Sequence, residues 1–398
     1  MQPLYLLKIE VDGNANKYYR MIPNGDLFTA EWGRVGSNSQ TMDYSINDWD
    51  KKLHEKLRKG YVDQTHLVSE ITSNSKSREY SDIKNKSIAT IVQRLQSMAK
   101  IAIEENYTIS SSNVTQKMID EAQALINNRF SLDSNVDYFN EQLIQLFRII
   151  PRKMKKVSDN ISQSKKDFGI IIQREQDLLD TMKGQVIQQS VLNADDNIDN
   201  DKQTILDVLD LQFSEINKTE EKQIKSHLGS IDNKFYQAWK VVNNKTQNIF
   251  DKFIKQNNIN EKKLLFHGSK NENYWSIINS GLILRPNAVI TGKMWGLGIY
   301  FASAAVKSLN YSSLKGSYWT GGTSNSGFLS IFDVAYGNPY NVYNFDSKYY
   351  ELDYNKLQKF SPNANCIHAR ADRGMLKADE IVIYKEEQCT IKYLVELR

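Results

Sequence analysis

The sequence predicts a multidomain α+β protein: a small β-rich unit, an all-α helical bundle, and a mixed α+β unit in which helices precede short strands. Three observations predict this. Short β-prone runs separated by turn signals open the chain, four stretches with apolar residues at helical spacing follow, and short apolar runs between Gly- and Asn-rich loops close it. A length of 398 residues fits two or three domains with ample core.

The first unit is placed at residues 1–68. Leu4 to Val11 begins apolar and then alternates, as a strand does, and Tyr18 to Ile22 is a second β-prone run. Pro23-Asn24-Gly25-Asp26 is a turn signal, Leu27 to Trp32 a third strand, and Trp49 to Leu57 an amphipathic helix stopped near Gly60. Residues 69–86, rich in Ser, Asn, Lys and Asp, read as a linker. The helical region is placed at residues 87–192. Its stripes are Ile91, Leu95, Met98 and Ala102; Met118, Ala122 and Leu125; Val136 to Ile150, stopped by Pro151; and Phe168 to Val186. Four such helices in succession make a bundle. A polar interval, Asn193 to Lys202, precedes the last unit at residues 203–398. There, helices come first from Thr204, and strands are expected at Gly298–Ala302, Phe328–Ala335, Ile381–Tyr384 and Ile391–Leu397. Strands do not alternate with helices around a phosphate loop, which excludes a doubly wound nucleotide fold.

The net charge of +4 is small for this length, so a nucleic-acid contact must come from a local patch. The two cysteines, Cys366 and Cys389, sit in no metal-ligand spacing, so no metal is expected and a reducing, internal compartment is. No stretch approaches the about 20 apolar residues that span a bilayer, and Met1 to Glu10 is not built like a signal peptide. The expectation is a protein that is not secreted and has no membrane partner.

Three short stretches carry the chemistry. Leu264 to Ser269 is an apolar run ending in His267-Gly268-Ser269, a strand leaving the core at a turn, where a glycine admits close approach to its backbone. Gly298-Ile299-Tyr300-Phe301-Ala302 is followed by Lys307-Ser308 and Tyr311, which offer aromatic faces, a hydroxyl and an ammonium. Glu380 opens the apolar run of Asp379 to Tyr384, where a carboxylate can point into a cleft. By residue type alone, His267 reads first as a core histidine and Glu380 as a solvated edge residue, while the tyrosines read equally as core.

Together and in this order, these stretches resemble the His-Tyr-Glu signature of the poly(ADP-ribose) polymerase family. The resemblance implies a split antiparallel sheet, NAD+ as the co-substrate, and transfer of ADP-ribose with release of nicotinamide. His267, Tyr300 and Glu380 are then the catalytic residues, and His267, Gly268, Ser269, Tyr300, Lys307, Ser308 and Tyr311 bind NAD+. His267 would hold the adenosine ribose, Gly268 the nicotinamide amide, and the tyrosines the ring. Ile290 to Ala302 resembles the family's donor loop and following strand. The chain departs from many members at Lys293 and Leu297, and in the placement of Arg285. A glutamate at the third signature position is associated in the family with chain elongation.

Trp32-Gly33-Arg34-Val35-Gly36 resembles the motif of the WGR domain, and the flanking Tyr19 run and Lys56 to Tyr61 fit the same pattern. A lone W-G-R reads first as a core Trp and a surface Arg. The resemblance implies instead that Trp32, Gly33, Arg34, Lys59 and Tyr61 engage DNA ends, the Trp by stacking and the cations through phosphate. Phe147 to Pro151 and Gln176 to Asp180 resemble the family's helical regulatory domain, with Asp177 and Asp180 as its candidate regulatory residues. The architecture resembles the short members that lack zinc fingers. The expected function is DNA-break-responsive ADP-ribosylation of protein acceptors, the chain itself included, with poly(ADP-ribose) as product. The alternatives are a mono-ADP-ribosyltransferase of the same fold and a DNA-binding scaffold with a silent catalytic unit. Such a protein would be cytoplasmic in a prokaryote and nuclear in a eukaryote.

Overall fold

The computed structural model describes residues 1–68, 80–106, 114–193, 203–284, 294–372 and 376–398, with the side chains of 189–193 outside that description. Arg285, Lys293 and most of the polar intervals at 69–86 and 193–202 therefore lie outside the described residues. The chain forms two compact units, one from Met1–Lys76 and Lys100–Val186, the other from Ser77–Ala99, Ile187–Asn287 and Gly292–Arg398.

The first unit opens with a five-stranded sheet. Its strands are β1 (Leu4–Glu10), β2 (Ala15–Asn24), β3 (Leu27–Arg34), β4 (Gln40–Ser45) and β5 (Val62–Asp63), in the order β4-β3-β2-β1-β5. The predicted turn joins β2 to β3, with Gly25 at a φ of +63° that its missing Cβ permits. Alternation puts Leu6, Tyr19, Met21, Phe28 and Ala30 on one buried face. Helix α1 (Trp49–Arg58) covers that face, its Trp49 ring edge-on to Phe28 at 5.2 Å, and α2 (Thr65–Val68) follows.

Helix α3 (Lys86–Asn106) is divided between the units. Its residues Ile88, Ile91, Val92, Leu95 and Ala99 lie in the second unit's core, whereas Ile103 lies in the first unit's. The other helices of the first unit are α4 (Gln116–Arg129), α5 (Val136–Ile149) and α6 (Phe168–Asn193), which begins there. Thr115 and Asn135 cap α4 and α5 by accepting from Met118 N–H and Tyr138 N–H. Pro151, which lacks an N–H, follows the end of α5. Phe130, Phe139, Leu143, Phe147, Phe168 and Leu179 close the core, with the Phe139 and Phe168 rings stacked at 3.8 Å. Inside it, Arg152 and Glu175 form a bidentate ion pair with side chains only 5% and 2% exposed.

The second unit is built on nine strands. In chain order these elements are α7 (Ile205–Leu209), β6 (Leu211–Glu215), α8 (Lys218–Leu228), β7 (Phe235–Asn243), α9 (Asn244–Gln256), β8 (Lys262–Gly268) and α10 (Tyr274–Ser280). Then come β9 (Ile299–Ala302), α11 (Ala305–Leu309), β10 (Gly327–Ala335), β11 (Pro339–Val342), α12 (Tyr354–Phe360), β12 (Cys366–Ala369), β13 (Glu380–Ile383) and β14 (Cys389–Leu397). The strand order is β11-β12-β13-β9-β8-β10-β14-β7-β6, antiparallel except at β11–β12. The split is visible in the pairing, because the two halves meet through one registered pair, Phe266 with Ala302. The sequence predicts helices first from Thr204, but β6 and β7 interleave with them. β6 pairs with β7, and β7 pairs with β14 far away in the chain, so tertiary pairing turns Phe235–Asn243 into a strand.

Candidate active site

All candidate catalytic residues lie in the second unit, where the two halves of its sheet meet. Strand β9 is the shared element. Ala302 pairs with Phe266 of β8 on one side and with Glu380 of β13 on the other. Val382 stands opposite Tyr300, so Glu380, Ala302, Tyr300 and Val382 share one face of the pleat.

Glu380 is the first residue of β13 and is half-buried. Lys307, on α11, brings its ammonium to 2.7 Å from Glu380 Oε1 and 2.8 Å from the Ala378 carbonyl oxygen. The Trp295 indole N–H donates to Glu380 Oε2 at 2.6 Å. The side chain before Glu380 is held as well. Asp379 accepts from Ala371 N–H at 2.8 Å and meets His368 Nε2 at 2.7 Å, and the other nitrogen of His368 lies 2.6 Å from the Tyr336 hydroxyl. The opening of β13 is therefore fixed at two consecutive carboxylates.

His267 is partly buried at the end of β8, with Nδ1 3.0 Å from the Tyr300 carbonyl oxygen and its ring edge-on to Phe301 and Phe332. Burial pushes the imidazole pKa down, against the raising effect of that carbonyl, so the ring is neutral at pH 7. With Nδ1–H committed to a carbonyl, Nε2 is an acceptor, and it meets no protein partner among the described residues. The Tyr300 hydroxyl donates to Gly296 O at 2.9 Å and accepts from Trp295 N–H at 3.0 Å. Burial first, and then the charge of Glu380, raises its pKa, so it stays protonated. Tyr311 is 41% exposed, and its ring stacks on Trp319 at 6.3 Å.

Ser308 is buried and its hydroxyl donates to the Phe266 carbonyl at 3.1 Å, tying α11 to β8. Gly268 passes so close to α11 that a Cβ there would lie 1.9 Å from Ser308 O. Gly268→Ala is accordingly expected to force β8 and α11 apart and destabilise this unit by about 3 kcal/mol; an unchanged melting temperature would contradict that close approach. Ser269 is half-buried beside it, accepting from Asn273 Nδ2 at 3.0 Å. Among the described residues no group of three or more His, Cys, Asp or Glu side chains is placed to hold a metal ion.

In the first unit, Trp32 is partly buried, opposite Tyr19 in the register and stacked on it at 6.0 Å. Tyr61 meets the same Tyr19 edge-on at 6.5 Å, and Lys56 Nζ lies 4.0 Å from the Tyr19 ring centroid. Lys59 is exposed and paired with Glu55 at 2.6 Å, while Gly33 is half-buried. Arg34 is placed differently from the others. Its guanidinium donates to the carbonyls of Asn14 at 2.9 Å, Met154 at 3.0 Å and Lys155 at 2.7 Å, so it ties the sheet to the segment after α5. Buried Asn16 reinforces that tie by donating to Arg152 O at 3.1 Å. On α6, Asp177 accepts from Gln173 at 2.6 Å and Asp180 from Gln176 at 3.1 Å, each bond spanning one helical turn.

Trp295 stands inside the donor-loop resemblance but drew no role from sequence. Its one signal was chemical: a Trp in a polar loop carries an N–H that needs an acceptor when buried.

The profile of the poly(ADP-ribose) polymerase catalytic domain matches residues 211–398, and that of the WGR domain matches residues 2–68. An uncharacterized protein, 101L, of Invertebrate iridescent virus 6 is 37% identical over 177 residues, 44% of this chain and 73% of that relative. The putative poly [ADP-ribose] polymerase-like protein 100L of the same virus is 32% identical over 170 residues, 42% of this chain and 87% of that relative. Poly [ADP-ribose] polymerase 2 of Zea mays is 24% identical over an alignment reaching 98% of this chain and 69% of its own length. With its ordered His, Tyr and Glu gathered around one shared strand and a WGR domain ahead of them, the chain belongs to the poly(ADP-ribose) polymerase family.

Proposed function

We propose that this chain is a DNA-break-responsive ADP-ribosyltransferase that uses NAD+ to modify proteins, itself included, and elongates the product into poly(ADP-ribose). The family assignment supports transferase activity on NAD+ in general. The observation that carries the finer reading is Glu380, whose carboxylate lies between the Lys307 ammonium and the Trp295 indole on the face it shares with Tyr300.

The residues present fit the substrate. Tyr311 is exposed and offers its ring to a flat ligand, and among the described residues His267 Nε2 is an unengaged acceptor for a ribose hydroxyl. Transfer breaks the bond between the ribose anomeric carbon and the nicotinamide nitrogen, whose electron pair leaves with nicotinamide. Positive charge develops on the sugar, as in glycoside chemistry. Glu380 supplies a fixed negative charge beside that centre and takes the proton of the attacking acceptor hydroxyl. When the acceptor is a ribose hydroxyl of earlier product, the same base extends a chain.

The Trp32–Tyr19–Tyr61 cluster with Lys56 supports a DNA-end reading for the first unit. Tyr19 itself is buried in the core of the sheet, so the partly buried Trp32 and Tyr61 that pack against it are the rings offered to a base, where stacking is worth about 1–3 kcal/mol per base. In Trp32→Ala, the ratio of nicotinamide release with and without a broken duplex is expected to fall to about one. A ratio equal to that of the natural chain would remove Trp32 from DNA sensing.

A further inference from the structure

Both oxygens of Glu380 are held by protein donors, and the two donors differ in kind. Lys307 reaches Oε1 at 2.7 Å with a flexible ammonium, whereas Trp295 reaches Oε2 at 2.6 Å with a rigid indole N–H. Trp295 has little freedom to move. It is 2% exposed, lies edge-on to Phe345 at 6.1 Å and tilts against Tyr349 at 5.8 Å. Its main-chain N–H donates to the Tyr300 hydroxyl at 3.0 Å, and its main-chain carbonyl accepts from the Tyr384 hydroxyl. The next residue, Gly296, has a φ of +84°, and a Cβ there would come within 2.3 Å of Leu352 O. Leu297 N–H then donates to that same carbonyl at 2.7 Å.

We propose that Trp295 is a positioning residue for Glu380, fixing the rotation of its carboxylate so that one face of it stays directed at the reacting sugar. This deepens the transferase reading above and rests on it. A carboxylate at a strand end turns freely about its last bond unless held at both oxygens, and an N–H bond to an ionised acceptor is among the stronger ones available. The hold does not saturate the group. Two carboxylate oxygens offer about four acceptor sites, so capacity remains for a substrate hydroxyl and for the proton that transfer releases. Because the Trp295 main chain rests on Tyr300 and Tyr384, Trp295, β9 and the end of β13 are locked to one carboxylate.

Trp295→Phe keeps a ring in the Phe345 and Tyr349 packing and removes only the donor. It is expected to lower kcat for nicotinamide release about tenfold while KM for NAD+ stays within about twofold. The contact itself is read without activity, in the full chain labelled with nitrogen-15 at tryptophan. The Trp295 indole resonance, assigned by its loss in Trp295→Phe, should lie far downfield and move upfield in Glu380→Gln. A resonance unmoved by Glu380→Gln would overturn the contact, and a kcat within twofold of the natural chain would overturn the positioning role. No turnover by the natural chain would remove the transferase reading and this catalytic role with it, while the resonance would still decide the contact.

Discussion

Glu380→Gln is expected to reduce nicotinamide release by roughly 10²–10³-fold while NAD+ still binds, because the substitution keeps the shape of the side chain but removes the charge, the base and one of the two acceptor oxygens. The neighbours indicate why the loss is large. Lys307 sits 2.7 Å from one oxygen, and with a neutral amide in place of the carboxylate its ammonium stands uncompensated beside a developing sugar cation. Elongation is expected to suffer more than the first transfer, since a ribose hydroxyl acceptor depends on proton removal. Calorimetric NAD+ binding and single-turnover release separate these effects. Release within tenfold of the natural chain, or polymer of unchanged length, would remove Glu380 from the chemistry.

Arg152→Ala is expected to destabilise the first unit by about 3–5 kcal/mol, lowering its thermal transition by roughly 10 °C. Glu175 is 2% exposed, and losing its bidentate partner leaves a carboxylate inside a core of phenylalanine and leucine side chains. Arg174, at 3.0 Å from the same carboxylate but largely exposed, moderates the loss without replacing the geometry. Replacing both partners by apolar residues, as in Arg152→Met with Glu175→Leu, should recover most of the stability, because no buried charge then remains. Scanning calorimetry of the full chain follows the unit's transition. A shift of less than about 2 °C in the single variant would mean the pair contributes little. Arg152 also accepts Asn16 through its carbonyl and lies 4.3 Å over the Phe147 ring, so the side-chain pair stands where the sheet and helices of this unit join.

Local patterns made much of this architecture legible. The β2–β3 turn, α1, α4 to α6, and strands β9, β10, β13 and β14 follow from periodicity and from Gly and Pro punctuation, which are properties of neighbouring residues. What depended on distant partners was not legible. Strands β6 and β7 exist because β14 pairs with β7, and the Ile91 and Leu95 stripe of α3 lies in the second unit's core although its spacing matches the other helices. The site shows the same division. The motifs single out His267, Tyr300, Lys307 and Glu380 as candidates, whereas the commitment of Arg34 to three carbonyls and the Trp295–Glu380 bond have no sequence signature. A guanidinium and an indole N–H declare only that they need acceptors. Which acceptor each finds is decided by the fold.

The central claim is that this chain transfers ADP-ribose from NAD+ under the control of broken DNA. It is tested most directly by incubating the purified chain with labelled NAD+, with and without a short duplex bearing a 5′-phosphorylated break, and resolving the labelled protein on a gel. A high-mass smear that appears with the broken duplex, and is absent or faint without it, is the predicted result. A sharp labelled band would contradict polymer formation, equal labelling in both lanes would contradict DNA control, and no label in either would contradict transfer itself.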